Sequence, residues 1–541
     1  DKRSKVIEVE STNVIYAMNV GMFIIRCLEK SGYIDIYRSN KGLTQVSINE
    51  KFWGSDYSKN VVSMLPSMTK YENYSRENEF YINDTLSMIQ PFENNKLMAE
   101  SMIINDDRIV VLNKLQDVEF SINQMFLINV LMHYDTYLNE YKDGEEIFEK
   151  YPNHNDYIVF MLGSRYNKKS DDYNKISNKW FNSRDKTVTF KNIVICSILY
   201  SDKEFYFRTV IDHRGRVYYL GYPISPQMGD FVRMLINIKG KKVYGYDVTA
   251  SGLQIVGGIM GDENILKDTF LIEGSDKDIY TKVYDEVMKS DNEVIIRYKS
   301  SINRKFVKII VMPLVYSQGA WGRTMKMINN PDVEKIGFGD AKIIGDTVVN
   351  CFNKLYPSFE EFKNDINNIN ESCVNKWYTI CSTEDYHMFY NIYVKQETIK
   401  IKVKVGNKSV TRSIKIDKYE GVNNEVVVDK KSCDRAFKAN FIQHIDSNII
   451  TLTSEKLFEL GIKHYIVHDC IYLSAEYSDQ VNECYKLAFI SIMDRDVLSY
   501  YKSINTGEKE IMNEKWLLIK KNNIFRKDIL KWDVNDYEID Q

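Results

Sequence analysis

The stretch Arg304–Gly322, RKFVKIIVMPLVYSQGAWG, constrains this chain more than any other. Arg304, Lys308, Met312 and Tyr316 recur every four positions. On a helix of about 3.6 residues per turn they drift by only about 40° per step, so neighbouring members share a face. Along that face run two cations, a soft apolar residue and an aromatic hydroxyl. Two fixed cations one turn apart suit a triphosphate, whose charge needs several donors. A tyrosine two turns beyond the lysine suits the base and sugar of the same nucleotide. An amphipathic core helix with a basic edge accounts for the same spacing. Pro313 argues against an unbroken helix, because it removes one backbone bond and favours a kink.

A chain of 541 residues has ample core for about two to four domains or subdomains. Apolar content of 44% and charged content of 27% are those of a soluble globular chain. No apolar run reaches the roughly 18 residues a membrane span needs, so no membrane partner is expected. The first residues, DKRSKVIEVE, resemble neither a secretory signal nor a transit peptide, which leaves a cytoplasmic location as the expectation and an organellar one open. They also lack Met, as a processed chain or a piece of a longer one would. The eight cysteines form no CxxC pair and read as reduced thiols, not as a zinc site or a disulfide frame. A net charge of −3 gives no global reason to bind nucleic acid, so any such contact must rest on local clusters of cations.

Residues 1–150 read as mostly helical. Val14–Ser31 and Leu112–Tyr134 have helical apolar spacing, and Tyr33–Pro91 mixes short extended pieces with a turn at Asn40-Lys41-Gly42. The polar stretch Asn167–Asp185 reads as an exposed connection. In Phe205–Tyr219, two extended runs flank Asp212-His213-Arg214-Gly215-Arg216; the glycine lets backbone come close to a phosphate, although a surface hairpin rich in arginine would look the same. Val243–Tyr246 reads as a strand and Ser251–Gly257 as the start of a helix, which leaves Asp247 at a strand's carboxyl end. An aspartate there could equally be a helix N-cap. Lys395–Lys418 carries eight Lys or Arg against Glu397 and Asp417, alternating with apolar residues on either side of Gly406-Asn407. That is a hairpin with a basic face, which suits either a solvated edge or a phosphate backbone. Asn440–Leu460 reads as helical, and Lys463–Val467 and Ile471–Ser474 as strands around a sharp turn at His468-Asp469-Cys470.

These pieces, in this order, resemble the bacteriophage-type and mitochondrial single-subunit DNA-dependent RNA polymerases, relatives of the family A DNA polymerases. Asp247-Val248-Thr249-Ala250-Ser251-Gly252-Leu253-Gln254 resembles motif A of that family. Arg304–Gly322 resembles motif B, with Trp321-Gly322 at its aromatic-glycine step, and His468-Asp469-Cys470 resembles motif C, usually His-Asp-Ser. Asp212–Tyr218 resembles the family's Asp-aromatic-Arg-Gly-Arg-Val-Tyr element, with His213 in the aromatic place. Weaker likeness covers Val20–Tyr37, Leu112–Val130 and Phe525–Leu530.

The resemblance implies an α+β, largely helical right-hand fold of palm, fingers and thumb with a small antiparallel palm sheet. Residues 1–150 would be a helical, thumb-like N-terminal region, 151–204 a connection, 205–262 and 437–541 the palm, 263–375 the fingers, and 376–436 a basic hairpin region like the family's specificity loop. It implies templated transfer of nucleotides from rNTPs to an RNA 3′-hydroxyl, with DNA template, RNA product and two Mg²⁺ ions. Asp247, Asp469 and the Val248 carbonyl would hold metal; Arg304 and Lys308 the triphosphate; Tyr316, Gly252 and Gln443 the sugar; His468 the primer end. Arg214, Arg216, Trp321, Gly322, Lys400, Lys402 and Lys404 would meet template or hybrid. Related DNA polymerases carry a Glu at the place of Gly252, which blocks a 2′-hydroxyl, so the glycine points to ribonucleotides. Gln443 stands where the family has a His and the DNA polymerases a Gln, which keeps a DNA polymerase, or a non-catalytic nucleic-acid-binding subunit, as the other readings. Because the likeness begins close to residue 14, the expectation is that the family's N-terminal promoter-binding domain is largely absent, cut off or supplied by an accessory subunit. A phage, viral or plasmid origin fits the resemblance.

Overall fold

The computed structural model describes residues 65–71, 73–74, 103–141, 146–163, 170–316, 318–329, 336–372, 379–381, 387–390, 393–405, 408–420, 425–506 and 511–533, with the paired strands Ile34–Arg38 and Thr44–Ile48. The helix expected at Val14–Ser31 and the turns at Asn40-Lys41-Gly42 and Gly406-Asn407 lie outside them. The described chain is largely helical, with small antiparallel sheets.

Helix α1 (Asp106–Gln116) starts at Asn105, whose side chain accepts from the Arg108 amide. Strand β1 (Phe120–Ile122) follows, then α2 (Gln124–Met132) and α3 (Tyr134–Tyr141). The single helix expected over Leu112–Tyr134 is therefore three elements. Phe120 and Ile122 are buried and Ser121 is not, a period of two that makes this piece a strand, paired with Ile236–Ile238. Asn123 then caps α2. The expected connection at Asn167–Asp185 is also corrected: most of it belongs to helix α4 (Asp171–Leu199), capped by Ser170. No Gly or Pro interrupts that run. Its exposed polar residues cover a buried face that holds Ser177, Trp180 and Ser183, and the Trp180 indole N–H donates to the Tyr151 carbonyl at 2.7 Å.

Strands β2 (Arg208–Ile211) and β3 (Val217–Leu220) form the expected hairpin, with Ile211 facing Val217. Gly215 closes its turn at φ +82°, where a side chain would be strained. After β4 (Ile236–Ile238) comes β5 (Tyr244–Val248), and then α5 (Ser251–Met260), buried along its whole length. Asp247 is not the cap of α5; Ala250 is.

Helix α6 (Ile279–Val287) is capped by Asp278 and packs against α7 (Arg304–Val311). The regular helix stops at Val311, where Pro313 was expected to break it. Met312–Leu314 tightens into one 3-10 turn around Pro313, which has no N–H for the next α-helical bond. Helix α8 (Ala320–Ile328) and α9 (Phe338–Leu355) follow. Strands β6 (Gln396–Val405) and β7 (Lys408–Asp417) form the expected hairpin and pair with each other as a ribbon of two.

Helix α10 (Lys430–Glu459) begins ten residues before the expected Asn440, because Asp429 caps it through the Ser432 amide. It is buried almost without break from Asn440 to Ser454. Strands β8 (Tyr465–Val467) and β9 (Cys470–Leu473) flank the sharp turn, α11 (Ser478–Met493) packs on α10, and β10 (Leu530–Asp533) closes the chain's description. The central sheet runs β8-β9-β5-β10, all antiparallel. One continuous apolar core joins it to α5, α7, α9, α10 and α11.

Candidate active site

The central sheet delivers two carboxylates to one edge. Asp247 is next to last in β5, level with Lys531 of β10. On the other side of β5, Ile471 of β9 pairs with Tyr246, so the tip of the β8–β9 hairpin comes level with Asp247-Val248. Paired strands lie about 4.8 Å apart, and Asp469 at that tip is thus carried beside Asp247. The tip has only His468 and Asp469 between the paired Val467 and Cys470. His468 takes φ +57°, and Ala250, three residues after Asp247, takes φ +56°. Left-handed conformations at such residues cost on the order of 1–2 kcal/mol and gather at functional sites. The Asp247 Oδ1 accepts from the Val248 amide at 2.9 Å, and the Ser251 hydroxyl reaches Asp469 Oδ2 at 3.4 Å.

Helix α7 supplies the cations. Arg304 and Lys308 lie on its open face while Phe306, Val307, Ile310 and Val311 are buried. Asp278 accepts from Arg304 Nε at 2.8 Å and also from Nη2. The Arg304 guanidinium and the Lys308 ammonium lie 5.6 and 5.8 Å from the centre of the Tyr280 ring. Burial pushes the Asp278 pKa up, but its bonds from Arg304 and Thr281 outweigh that and hold it below the usual carboxylate range.

Tyr316 lies past the kink yet still meets motif A. A Cβ placed on Gly252 would stand 3.3 Å from the Tyr316 hydroxyl, 3.2 Å from Val315 and 3.4 Å from Ile442. Burial, then Asp446, raises the Tyr316 pKa against the pull of Arg216, so the phenol keeps its proton. Trp321, at the start of α8, is 70% exposed, with Gly322 next to it.

The Arg-Gly-Arg turn is fastened to α10. Buried Asp212 accepts from the Arg214 and Arg216 amides at 2.9 and 3.1 Å and from Arg214 Nε at 2.9 Å. Arg214 Nη1 donates to Gln443 Oε1, and Arg216 Nη2 to Asp446 Oδ2 at 3.3 Å. Ser447 donates to the Arg214 carbonyl at 2.9 Å. Fully buried Arg108 of α1 spans the Gly215 carbonyl, Ser447 and Asn448. His213 inside this turn is pushed down to about 4 by burial, and is neutral. His468 stacks edge-on to Tyr218 at 5.6 Å, and desolvation and then Arg216 lower its pKa.

The residues at this site that sequence reasoning missed are Asp278, Tyr280, Arg108 and, above all, Asp446. Asp446 is buried, and burial and then Asp469 raise its pKa to about 7 against the pull of Arg216. Its sign in the sequence was the run Phe441-Ile442-Gln443-His444-Ile445-Asp446, which follows the family's Phe-Ile-His-Ser-x-Asp pattern with Asp446 at the Asp but named no role for it.

Asp247 and Asp469 suit a hard divalent cation. Among the described residues no group of three or more His, Cys, Asp or Glu forms a ready-made cage. Two carboxylates without a cage are the donor set by which Mg²⁺ is usually held, with substrate phosphates and water completing the shell.

On the hairpin, the register pairs Lys400, Lys402 and Lys404 with Ser413, Thr411 and Ser409. Cys196, Cys351, Cys433, Cys470 and Cys484 are free thiols, as expected. Among the described residues no helix is long and apolar enough to cross a membrane.

One carboxylate near a strand's end and a second in the hairpin tip beside it sit in a largely helical chain with a small antiparallel sheet, the architecture of the polymerase fold. Residues 244–536, more than half of the chain, match the DNA-dependent RNA polymerase family, and the chain belongs to that family. A stretch of 200 residues is 27% identical to a "Probable DNA-directed RNA polymerase" of Agaricus bitorquis, covering 36% of this chain and 17% of that relative. The family implies the polymerase fold, and the match takes in motifs A, B and C while leaving the Arg-Gly-Arg turn before its start.

Proposed function

We propose that this chain is a template-directed RNA polymerase, extending an RNA 3′-hydroxyl from rNTPs on a DNA template. One observation carries the reading: Asp247 and Asp469 meet at one sheet edge, within the residues that match the family. Palm, fingers and specificity-loop roles go to the regions that carry motifs A and C, motif B and the basic hairpin. Asp247 and Asp469, with the Val248 carbonyl, hold Mg²⁺. Two bound ions would lower the pKa of the 3′-hydroxyl and neutralise the leaving pyrophosphate.

The protein's own part is positioning and charge complementarity. Arg304, steadied by Asp278, and Lys308 hold the triphosphate, and Lys308 gives the pyrophosphate its proton. Tyr316 presents a protonated hydroxyl to the sugar, with Gly252 leaving space beside it. Gln443 offers its N–H₂, because its oxygen already accepts from Arg214. That donor suits a sugar oxygen or a base edge. His468 supports the primer end. Arg214 and Arg216 face the hybrid from ion-paired positions, with Trp321 and Gly322 at the template. An accessory chain that finds promoters, and genes of a phage, virus or plasmid as targets, fit the same reading.

Primer extension tests it. A short RNA primer on single-stranded DNA is offered rNTPs or dNTPs with Mg²⁺, beside Asp469→Ala. Extension with rNTPs alone, lost in the variant, is the expected result. Extension with dNTPs alone would make this a DNA polymerase, and activity surviving in Asp469→Ala would remove the metal site from Asp469.

A further inference from the structure

Asp446 has no part in the proposed chemistry, yet it is buried at the site beside Arg216. It lies on α10, 4% exposed, with Arg216 Nη2 at 3.3 Å from its Oδ2. A buried carboxylate is tolerated only beside partners, and Asp446 has the Arg216 guanidinium and the Ser251 hydroxyl. Burial works against the charge of Arg216, and Asp446 first and then Asp469 outweigh it, with the Tyr316 phenol beside them. The Arg216 backbone is pinned by Asp212, and its turn is pinned to α10 by Ser447 and, through Arg108, by Asn448. The guanidinium can therefore swing only at its side chain. Asp446 draws it towards α10, and Asp469 draws it towards the metal edge.

We propose that Asp446 is a positioning residue for sugar selection: it holds the Arg216 guanidinium away from Asp469, and so fixes the Tyr316 hydroxyl against Gly252. The inference rests on the polymerase reading. Asp446 is not a third metal ligand in this account, consistent with the lack of a three-residue cluster among the described residues. Removing its charge frees Arg216 to pair with Asp469. Tyr316 then loses its fixed neighbour, and its hydroxyl, 3.3 Å from the Gly252 Cβ position, no longer holds one place relative to the incoming sugar.

The test is a double-mutant cycle on full-length chain. Asp446→Asn keeps the size and one oxygen but loses the charge, which wild-type Asp446 carries in assays run above pH 7. It is measured alone, with Tyr316→Phe, and beside Arg216→Lys, with kcat/KM for rNTP and dNTP taken at several Mg²⁺ concentrations. Asp446→Asn is expected to lower the rNTP-over-dNTP ratio about tenfold, or about 1.4 kcal/mol of discrimination. In the Tyr316→Phe background it should lower the ratio no further, because the hydroxyl it acts through is gone. Equal losses for both substrates, or a further fall in the Tyr316→Phe background, would overturn the inference. So would a raised Mg²⁺ requirement with an unchanged ratio, which would make Asp446 a ligand. If Asp446→Asn fails to fold, Arg216→Lys approaches the same pair from its other side, and an unchanged ratio there overturns the inference as well. Wild-type chain that extends with neither substrate removes the polymerase reading, and this inference with it. Wild-type chain that discriminates normally beside an unaffected Asp446→Asn removes the inference alone.

Discussion

Gly252 shows how much a single position decides. A side chain there would press at 3.2–3.4 Å on Val315, the Tyr316 hydroxyl and Ile442 at once. Two of those three neighbours are buried and cannot retreat far. The space beside the phenol thus exists only because residue 252 has no Cβ. A carboxylate grown from this point enters the volume where a 2′-hydroxyl would sit. Gly252→Glu is expected to lower the rNTP-over-dNTP ratio of kcat/KM at least tenfold, about 1.4 kcal/mol. Single-nucleotide addition with matched rNTP and dNTP measures it. Equal losses for both nucleotides would mean that Gly252 serves only the packing of α5. Asp278 works on the same scale by a different means. It caps α6 and pairs with Arg304 at once, so one buried carboxylate sets both a helix start and the direction of a cation.

At the scale of elements, the basic ribbon and the central sheet were legible for different reasons: the sequence of β6 alternates strictly, with Lys400, Lys402 and Lys404 at every second position and so on one face of the sequence pattern, whereas β8 and β9 are short apolar runs that meet at a turn. If that face lies along a DNA backbone, each lysine that meets a phosphate adds about 0.9 to the slope of log K against log salt. Replacing all three by Gln should therefore reduce the slope of duplex binding by about 2–3. Binding titrations between low and moderate salt measure it, and an unchanged slope would make the ribbon a solvated edge. Helices were read less well, and each miss has a physical cause. The break at Pro313 is the exception, since the missing N–H announced it in the sequence. The polar surface of Asn167–Asp185 hid a helix, because Trp180 alone among its neighbours marks the buried face strongly. Leu112–Tyr134 looked helical because Phe120 and Ile122 fit a helical spacing as well as a strand, and only the partner at Ile236–Ile238 decides. The site was legible where a motif ends a strand, as at Asp247 and Asp469. Asp446 and Arg108 were not, because their importance comes from partners hundreds of residues away in the chain.

For the whole molecule, burying so many polar groups has consequences in acid. His464 lies fully buried between α10 and β8. The Ile462 carbonyl can only accept, so Nδ1 carries the proton and donates to it at 3.0 Å, leaving Nε2 to accept from the Ser454 hydroxyl at 2.7 Å. Burial pushes the His464 pKa down to about 4. In the unfolded chain the same ring takes its proton near pH 6.5. Between those two values the unfolded state holds one proton more. The contribution is therefore complete above about pH 6.5, and it falls as the pH drops towards 4, by about 1.4 kcal/mol per unit. His213 acts in the same sense, also held near 4. Asp446 acts in the opposite sense, since its raised pKa keeps a proton on the folded chain that the unfolded chain gives up. A single stability curve mixes the three, whereas a difference between variants does not. His464→Gln keeps a donor and an acceptor for Ile462 and Ser454 but cannot titrate. Denaturant melts at pH 6.5 and 4.5 should show wild type losing about 2–3 kcal/mol more than the variant over that interval. Parallel losses would mean that His464 takes its proton inside the folded chain, and that Ser454 yields its hydrogen bond without unfolding α10.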